Sequence, residues 1–219
     1  MVTYESLRYN PEVNTYITRA DESLSALGFT EHSFPHVCRV AEIAGETLRI
    51  LGYSEHEIEL TKIAAYLHDI GNLVNRTDHS QSGAVMAFRL LDHMDMEAAD
   101  IATVVTAIGN HDEGTGVPVN AVAAALILAD KSDVRRNRVR NRDIATFDIH
   151  DRVNYSVEKS ALRVDPGQKI ARLELTVDTQ FSSVMDFFEI FMKRMLLCRR
   201  AAERLGLRFQ LTINEQQLI

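Results

Sequence analysis

One short stretch constrains the fold more than any other: nine consecutive apolar residues, 121–129, which end at Asp130. A helix that is apolar on every side must be surrounded by other elements, so this stretch predicts the centre of a helical bundle. An anion near the C-terminal end of a helix gains nothing from the helix dipole. Asp130 therefore needs a cation, which a metal ion, an arginine or a lysine would supply.

Helical periodicity continues through most of the chain up to about residue 150. Ser54 and Glu57 form a capping-box pattern, and Asp78 is expected to cap a helix that begins at His79. Short turn-rich connections separate the helices, which is typical of a mainly α bundle. The predicted helices are 11–27, 35–52, 54–71, 79–94, 96–111 and 120–134.

The pattern changes after about residue 150. Residues 157–165 and 169–178 flank the turn signal Pro166-Gly167, and 207–214 also has strand character. A long apolar helix is predicted for 182–206. We therefore expect a helical domain over 1–149 and, packed on it, a small C-terminal α+β appendage over 150–219, with antiparallel strands and one long helix.

Composition limits the function classes. The chain has 219 residues, 46% of them hydrophobic, and a formal net charge of −7, so bulk binding to nucleic acid or to anionic membrane is not expected. Cys38 and Cys198 stand far apart in apolar contexts, which favours a reduced, cytoplasmic compartment. No window approaches the length of apolar residues that a membrane span needs.

Six titratable side chains stand at helix ends or inside apolar helices. His68 and Asp69 in "AAYLHDIGN" are the clearest candidates for a functional site, because polar side chains in a buried apolar stretch normally have a partner. A lone histidine in a helix is usually structural, and a lone aspartate is often a cap or an ion-pair member. Together the six favour a divalent metal site, with Mn, Fe, Mg, Co, Ni or Zn as the ion. They are His36, His68, Asp69, His79, His111 and Asp130.

The remaining histidines have ordinary polar neighbours in the sequence, and we expect them at the surface. They are His32, His56, His93 and His150.

The order "HVCRVA", "HDIG" and "ILAD" resembles the HD superfamily of metal-dependent phosphohydrolases. The resemblance covers residues 30–135 and implies an all-helical bundle whose motif residues hold one ion. Those residues are His36, His68, Asp69 and Asp130.

Two further segments, "HSQSGA" and "AIGNHDEGTGVP", are similar to the HD-GYP phosphodiesterases, in which extra histidines hold a second ion. This similarity implies that His79 and His111 bind a second metal, with Asp69 bridging the two ions. Asn72 and Asn110 depart from the HD-GYP pattern and argue against cyclic-di-GMP as the substrate.

The resemblance implies hydrolysis of a small phosphorylated substrate, a phosphomonoester or phosphodiester such as a nucleotide, by metal-activated hydroxide. A helix that continues past Asp130 is expected to bring basic side chains to the site, where they would bind the phosphate. These residues are Lys131, Arg135 and Arg136. A solvated charged face is the alternative for this run. Asp133 is expected to support a ligand or a water. Asp112 or Glu113, beside His111, could shuttle a proton, and a plain turn is the alternative for these two residues.

Two other functions remain open. The same ligand order resembles the di-iron oxygenases built on this fold, and a metal-stabilised sensing or scaffold protein is the third class. In the third class the helix 182–205 would form a homodimer surface. Its large apolar residues are more often core than interface: Phe187, Phe188, Phe191, Met192 and Met195.

Overall fold

A computed structural model of the protein describes residues 2–219. It is mainly α-helical with a small C-terminal sheet, which confirms the predicted fold class. The helices are α1 (Tyr4–Arg8), α2 (Pro11–Ala26), α3 (Phe34–Ile50), α4 (Glu55–Leu67), α5 (His79–His93), α6 (Ala98–Gly109), α7 (Ala121–Ser132), α8 (Ile149–Ser156) and α9 (Val184–Arg204). The strands are β1 (Val157–Asp165), β2 (Ile170–Val177), β3 (Arg208–Ile213) and β4 (Gln216–Gln217).

Local capping chemistry sets where several helices begin. Asn10 accepts hydrogen bonds from the backbone at the start of α2, and Ser54 and Glu57 form the predicted capping box of α4. The expectation for Asp78 is wrong. It precedes α5, but its backbone is left-handed with φ of 56° and its side chain makes no capping bond. The carboxylate of Asp78 remains exposed instead.

Helix α7 is the centre of the bundle, as its apolar run predicts. Every residue from Val122 to Ala129 is buried, and the helix contacts α3, α4, α6 and α9. Helix α4 ends at Leu67 rather than at Gly71, because the chain continues from there into a short 3-10 turn, Ile70–Leu73. This early end places His68 and Asp69 between two elements rather than inside one helix.

The sheet has the order β1-β2-β3-β4. Strands β1 and β2 form an antiparallel hairpin, and β3 pairs with β4 antiparallel. The expectation of a wholly antiparallel sheet is wrong, since β2 and β3 are parallel. Helix α9 connects β2 to β3 and returns the chain to the end of the sheet where β2 begins. A helical crossover of this kind is the usual connection between parallel strands.

The C-terminal residues share one apolar core with the helical bundle. Helix α9 packs against α7, and Phe187, Phe191 and Met195 are buried, whereas Met192 is 43% exposed. The boundary at residue 149 stays a prediction. Of the helices within residues 2–219, none combines the length and the apolar character needed to cross a bilayer.

Candidate metal centre

The six predicted side chains come from the ends of five helices. His36 lies in the first turn of α3, and His79 is the first residue of α5. His68 and Asp69 directly follow α4, His111 follows α6, and Asp130 lies in the last turn of α7. The fold brings all six close together around one small space beside the central helix.

His36 and His68 are oriented through their Nδ1 atoms. Nδ1 of His36 lies 2.8 Å from Oδ2 of Asp133, and Nδ1 of His68 lies 2.7 Å from the carbonyl oxygen of Ala65. In the neutral ring that a metal ligand requires, these acceptors select the tautomer in which Nδ1 carries the proton and Nε2 carries a lone pair. Both Nε2 atoms are buried and have no hydrogen-bond partner in the described chain. Buried unpaired acceptors of this kind fit metal ligands.

His79 and His111 are also oriented by an acceptor that faces Nδ1. Nδ1 of His79 lies 3.0 Å from the carbonyl oxygen of Arg76, and Nδ1 of His111 lies 2.6 Å from that of Ile108. The two Nε2 atoms are then only 3.1 Å apart. Two lone pairs at this distance repel each other unless a cation lies beside them. Arg76 lies 3.4 Å from Nε2 of His79 through its Nη1, and a metal ion bound by both nitrogens would remove the repulsion directly.

Asp69 lies between these two pairs of imidazoles. Its Oδ2 is 3.1 Å from Nε2 of His68 and 3.6 Å from Nε2 of His36. Its Oδ1 is 3.5 Å from Nε2 of His79 and 3.9 Å from Nε2 of His111. Each carboxylate oxygen therefore faces one pair of histidines, and the cluster has two halves that share this residue.

Asp130 adds a second carboxylate to the first half. Its Oδ1 lies 3.4 Å from Nε2 of His36 and 3.7 Å from Nε2 of His68. The donor atoms of His36, His68 and Asp130 all lie within 4.8 Å of one another, and the same holds for His68, Asp69 and His111. Imidazole nitrogens mixed with carboxylate oxygens suit first-row divalent ions and magnesium.

The two halves differ in electrostatics. Burial lowers the pKa of His68, but the carboxylates of Asp69 and Asp130 outweigh it and raise the pKa to about 10. Burial also lowers the pKa of His111, and there neighbouring cations act in the same direction. Burial would raise the pKa of Asp69, but His68 and His36 hold it well below the usual range. The carboxylates are thus ionised, and the cluster attracts cations.

A cavity of about 440 Å³ opens onto this cluster. Two of the histidines expected at the surface line it. His32 is half-buried, with its ring centroid 5.5 Å from that of His36, so the surface prediction is wrong for this residue. His150 is exposed, as predicted, at the edge of the cavity. Burial lowers the pKa of His32 well below its usual value. The basic side chains of the cavity wall are Arg76, Lys131, Arg138 and Arg194.

Of the three basic residues predicted to bind phosphate, only Lys131 reaches the cavity. The expectation is wrong for Arg135 and Arg136, because α7 ends at Ser132 and does not carry them onward. Arg135 donates to both carboxylate oxygens of Asp133, at 2.5 and 2.9 Å. Arg136 donates from Nε to the carbonyl oxygen of Tyr155 at 2.6 Å.

The two predicted catalytic carboxylates occupy different positions. Asp133 is fully buried behind His36 and contacts its Nδ1, as expected for a residue that supports a ligand. Asp112 is half-buried, with Oδ1 at 4.0 Å from Nε2 of His79 and Oδ2 accepting from the backbone of Gly114. Its role in proton transfer stays a prediction.

Sequence reasoning missed one member of the cavity wall, Arg194. It lines the cavity beside Glu113 and contacts that residue at 2.9 Å, although 81 positions separate the two. Arg194 lies on the mostly apolar helix α9, where no local pattern marks it as part of a site. Only the packing of α9 on α7 brings it to the cavity.

Comparison with known proteins places the cluster in a family context. The family model of the HD domain matches residues 34–152, which include all six clustered side chains. An uncharacterized protein of Methanocaldococcus jannaschii, MJ1020, is 26% identical over 200 residues, covering 81% of this chain and 76% of that protein. A crystal structure titled as a predicted HD superfamily hydrolase from an uncultured Thermotogales bacterium is 26% identical. It covers 60% of this chain and 73% of its own, with a TM-score of 0.45.

Proposed function

The chain belongs to the HD-domain family, and we propose that it is a metal-dependent phosphohydrolase that cleaves a phosphomonoester or phosphodiester. The position of Asp69 carries the proposal. One of its oxygens faces His36 and His68, and the other faces His79 and His111. A carboxylate shared between two sets of imidazoles has the arrangement expected of a bridging ligand in a two-metal site.

The proposed ligand sets follow from these distances. His36, His68, Asp130 and Oδ2 of Asp69 would hold one divalent ion. His79, His111 and Oδ1 of Asp69 would hold a second. The ions would neutralise charge on the phosphate and lower the pKa of water, so that hydroxide is available at neutral pH.

The chain itself supplies positive charge around the substrate. Arg76 lies 3.4 Å from Nε2 of His79 through its Nη1, and its guanidinium also lies over the ring of Phe29. Lys131 and Arg138 line the same cavity. Phosphoryl transfer depends mainly on positioning and on positive charge near the phosphoryl oxygens, which these side chains would provide. A cavity of about 440 Å³ suits a small phosphate ester up to the size of a nucleotide.

Asp112 is the proposed proton-transfer group for the leaving oxygen. Its carboxylate is accessible and lies beside His79. Asp133 would act through His36 rather than on the substrate, because it is fully buried. The cytoplasmic location and a homodimer stay predictions.

The test combines metal analysis with an activity screen. Purified wild-type protein is expected to contain divalent metal and, supplemented with Mn²⁺ or Mg²⁺, to hydrolyse at least one of a panel of nucleotides, cyclic nucleotides and small phosphate esters. The double variant His68→Ala, Asp69→Ala should lose both. His56→Ala is the matched control, because His56 is exposed and contacts Asp100 instead.

Three outcomes would contradict the proposal. Full metal retention in the double variant would remove the ligand assignment. Iron with a mixed-valence EPR signal and no turnover of phosphate esters would favour the oxygenase. Bound metal with neither activity would leave a sensing or scaffold protein.

A further inference from the structure

Helix α9 supplies one wall of the cavity, although it lies outside the segment that matches the HD domain. The helix packs against α7, which carries Asp130 and Lys131. Arg194, near the middle of α9, lines the same cavity as those two residues. The C-terminal part of the chain therefore contributes directly to the site.

Glu113 connects Arg194 to the metal cluster. Its Oε1 lies 2.9 Å from Nε of Arg194, and its Oε2 lies 2.6 Å from Nζ of Lys131. Lys131 in turn lies 2.8 Å from Oδ2 of Asp130. Three successive short contacts thus lead from the guanidinium to a proposed metal ligand. This chain of charges keeps Arg194 beside the cluster without placing it on the metals.

Arg194 is preorganised, yet much of its binding capacity is unused. Its guanidinium lies 4.6 Å from the ring centroid of Phe191, and Nε is held by Glu113. Over residues 2–219, neither Nη atom of Arg194 takes part in a hydrogen bond, and the side chain is 28% exposed. A fixed guanidinium with two free nitrogens can donate to two oxygens of one anion.

We propose that Arg194 forms a second anion subsite, which binds a phosphate group linked to the one being cleaved. The inference rests on the proposed function, because the metal cluster would hold the first phosphate. It narrows the substrate class to compounds with at least two linked phosphates. Lys131 would lie between the two subsites, since it contacts both Asp130 and Glu113.

Binding of non-hydrolysable probes tests the subsite without activity. Isothermal titration calorimetry of the Mn²⁺-loaded protein would compare methylphosphonate, which has one anionic group, with methylenediphosphonate, which has two. We expect Arg194→Gln to weaken methylenediphosphonate binding by about tenfold or more, the usual effect of losing a charge-assisted hydrogen bond. Binding of methylphosphonate should change by less than about twofold, because the polar contact of Arg194 is with Glu113 and not with any proposed metal ligand.

Two further variants make the comparison specific. Arg199→Gln removes an exposed arginine from the same helix and should leave both affinities unchanged. Arg194→Lys keeps the charge but loses the planar fork, so it should recover part of the diphosphonate affinity. Thermal melts of all variants would show that each is folded.

The outcomes separate the inference from the function on which it rests. Equal weakening of both probes in Arg194→Gln, or no change in either, would overturn the second subsite and leave the phosphohydrolase in place. A metal-loaded wild-type protein that binds neither probe would overturn both.

Discussion

The carboxylate of Asp133 is completely buried, and one histidine and three arginines surround it. It contacts Nδ1 of His36 at 2.8 Å, Nε of Arg39 at 3.0 Å, Nε of Arg135 at 2.5 Å and Nη1 of Arg138 at 3.6 Å. Burial would raise the pKa of Asp133, but hydrogen bonds from His36 and Arg135 hold it far below the usual range. A permanently ionised partner fixes the tautomer and the ring orientation of His36.

Replacing Asp133 with asparagine should therefore weaken metal binding although Asp133 would not touch the metal. Loss of a partner that orients a ligand typically costs about 10- to 100-fold in metal affinity, and we expect an effect of that size for Asp133→Asn. Competition with a chromophoric chelator would measure it. Asp92→Asn, at an exposed position of α5, is the control. Unchanged affinity in a folded Asp133→Asn protein would show that His36 needs no such partner.

At the scale of elements, the short turn after α4 decides how the two halves of the cluster meet. A Cβ atom on Gly71 would lie 1.9 Å from the carbonyl oxygen of His79 and 2.4 Å from the backbone nitrogen of Gly83. Only a residue without a side chain permits this close approach of the turn to α5. The approach brings Asp69, at the start of the turn, within reach of His79.

We predict that Gly71→Ala lowers the free energy of unfolding by about 1–3 kcal/mol or more, because backbone atoms of α5 must move to admit the methyl group. Urea titration would measure the change. Gly109→Ala is the matched control, since the nearest atom to its added Cβ lies at 3.7 Å, an ordinary contact. That control should be neutral or slightly stabilising, because alanine favours helix. Equal stabilities of the two variants would mean that the turn and α5 are not tightly packed.

Over the whole molecule, the buried carboxylates whose pKa values are most strongly lowered lie around the site and are paired with cationic side chains. Burial would raise the pKa of Glu113, but Lys131 and Arg194 hold it far below its usual value. Burial would also raise the pKa of Asp130, but Lys131, His36 and His68 hold it well below its usual value. In the folded protein these groups therefore stay ionised at pH values where they would take up protons in the unfolded chain.

The metal-free protein should consequently lose stability in acid. In the unfolded chain these carboxyl groups take up protons near their ordinary pKa of about 4, whereas in the folded chain they stay ionised. Because the unfolded state binds more protons, the free energy of unfolding falls as the pH decreases below roughly 4.5. Urea titrations at several pH values between 6 and 3.5 would measure this slope. In Glu113→Gln the slope should be smaller, since one of the responsible carboxylates is gone. A free energy that stays constant over this window would contradict the pairing.

Local sequence predicts much of the secondary structure and the residues of the cluster. The apolar run 121–129 predicts the central helix, and Ser54 with Glu57 predicts the start of α4. His68 and Asp69 are also identified from local sequence, because polar residues inside an apolar stretch need a partner. Periodicity, caps and burial of a charge all act over a few neighbouring residues, so one sequence contains them.

Tertiary structure alone decided what surrounds the cluster. Where α7 ends determines that Lys131 reaches the cavity and Arg135 does not. The path of α9 makes β2 and β3 parallel and places Arg194 next to Glu113. These outcomes depend on how distant elements pack, and contact between residues 81 positions apart leaves no periodic pattern in the chain. The sequence by itself determined most of the helices and the residue types of the cluster, because both depend on neighbouring positions, whereas the packing of the whole chain decided which charged side chains line the cavity.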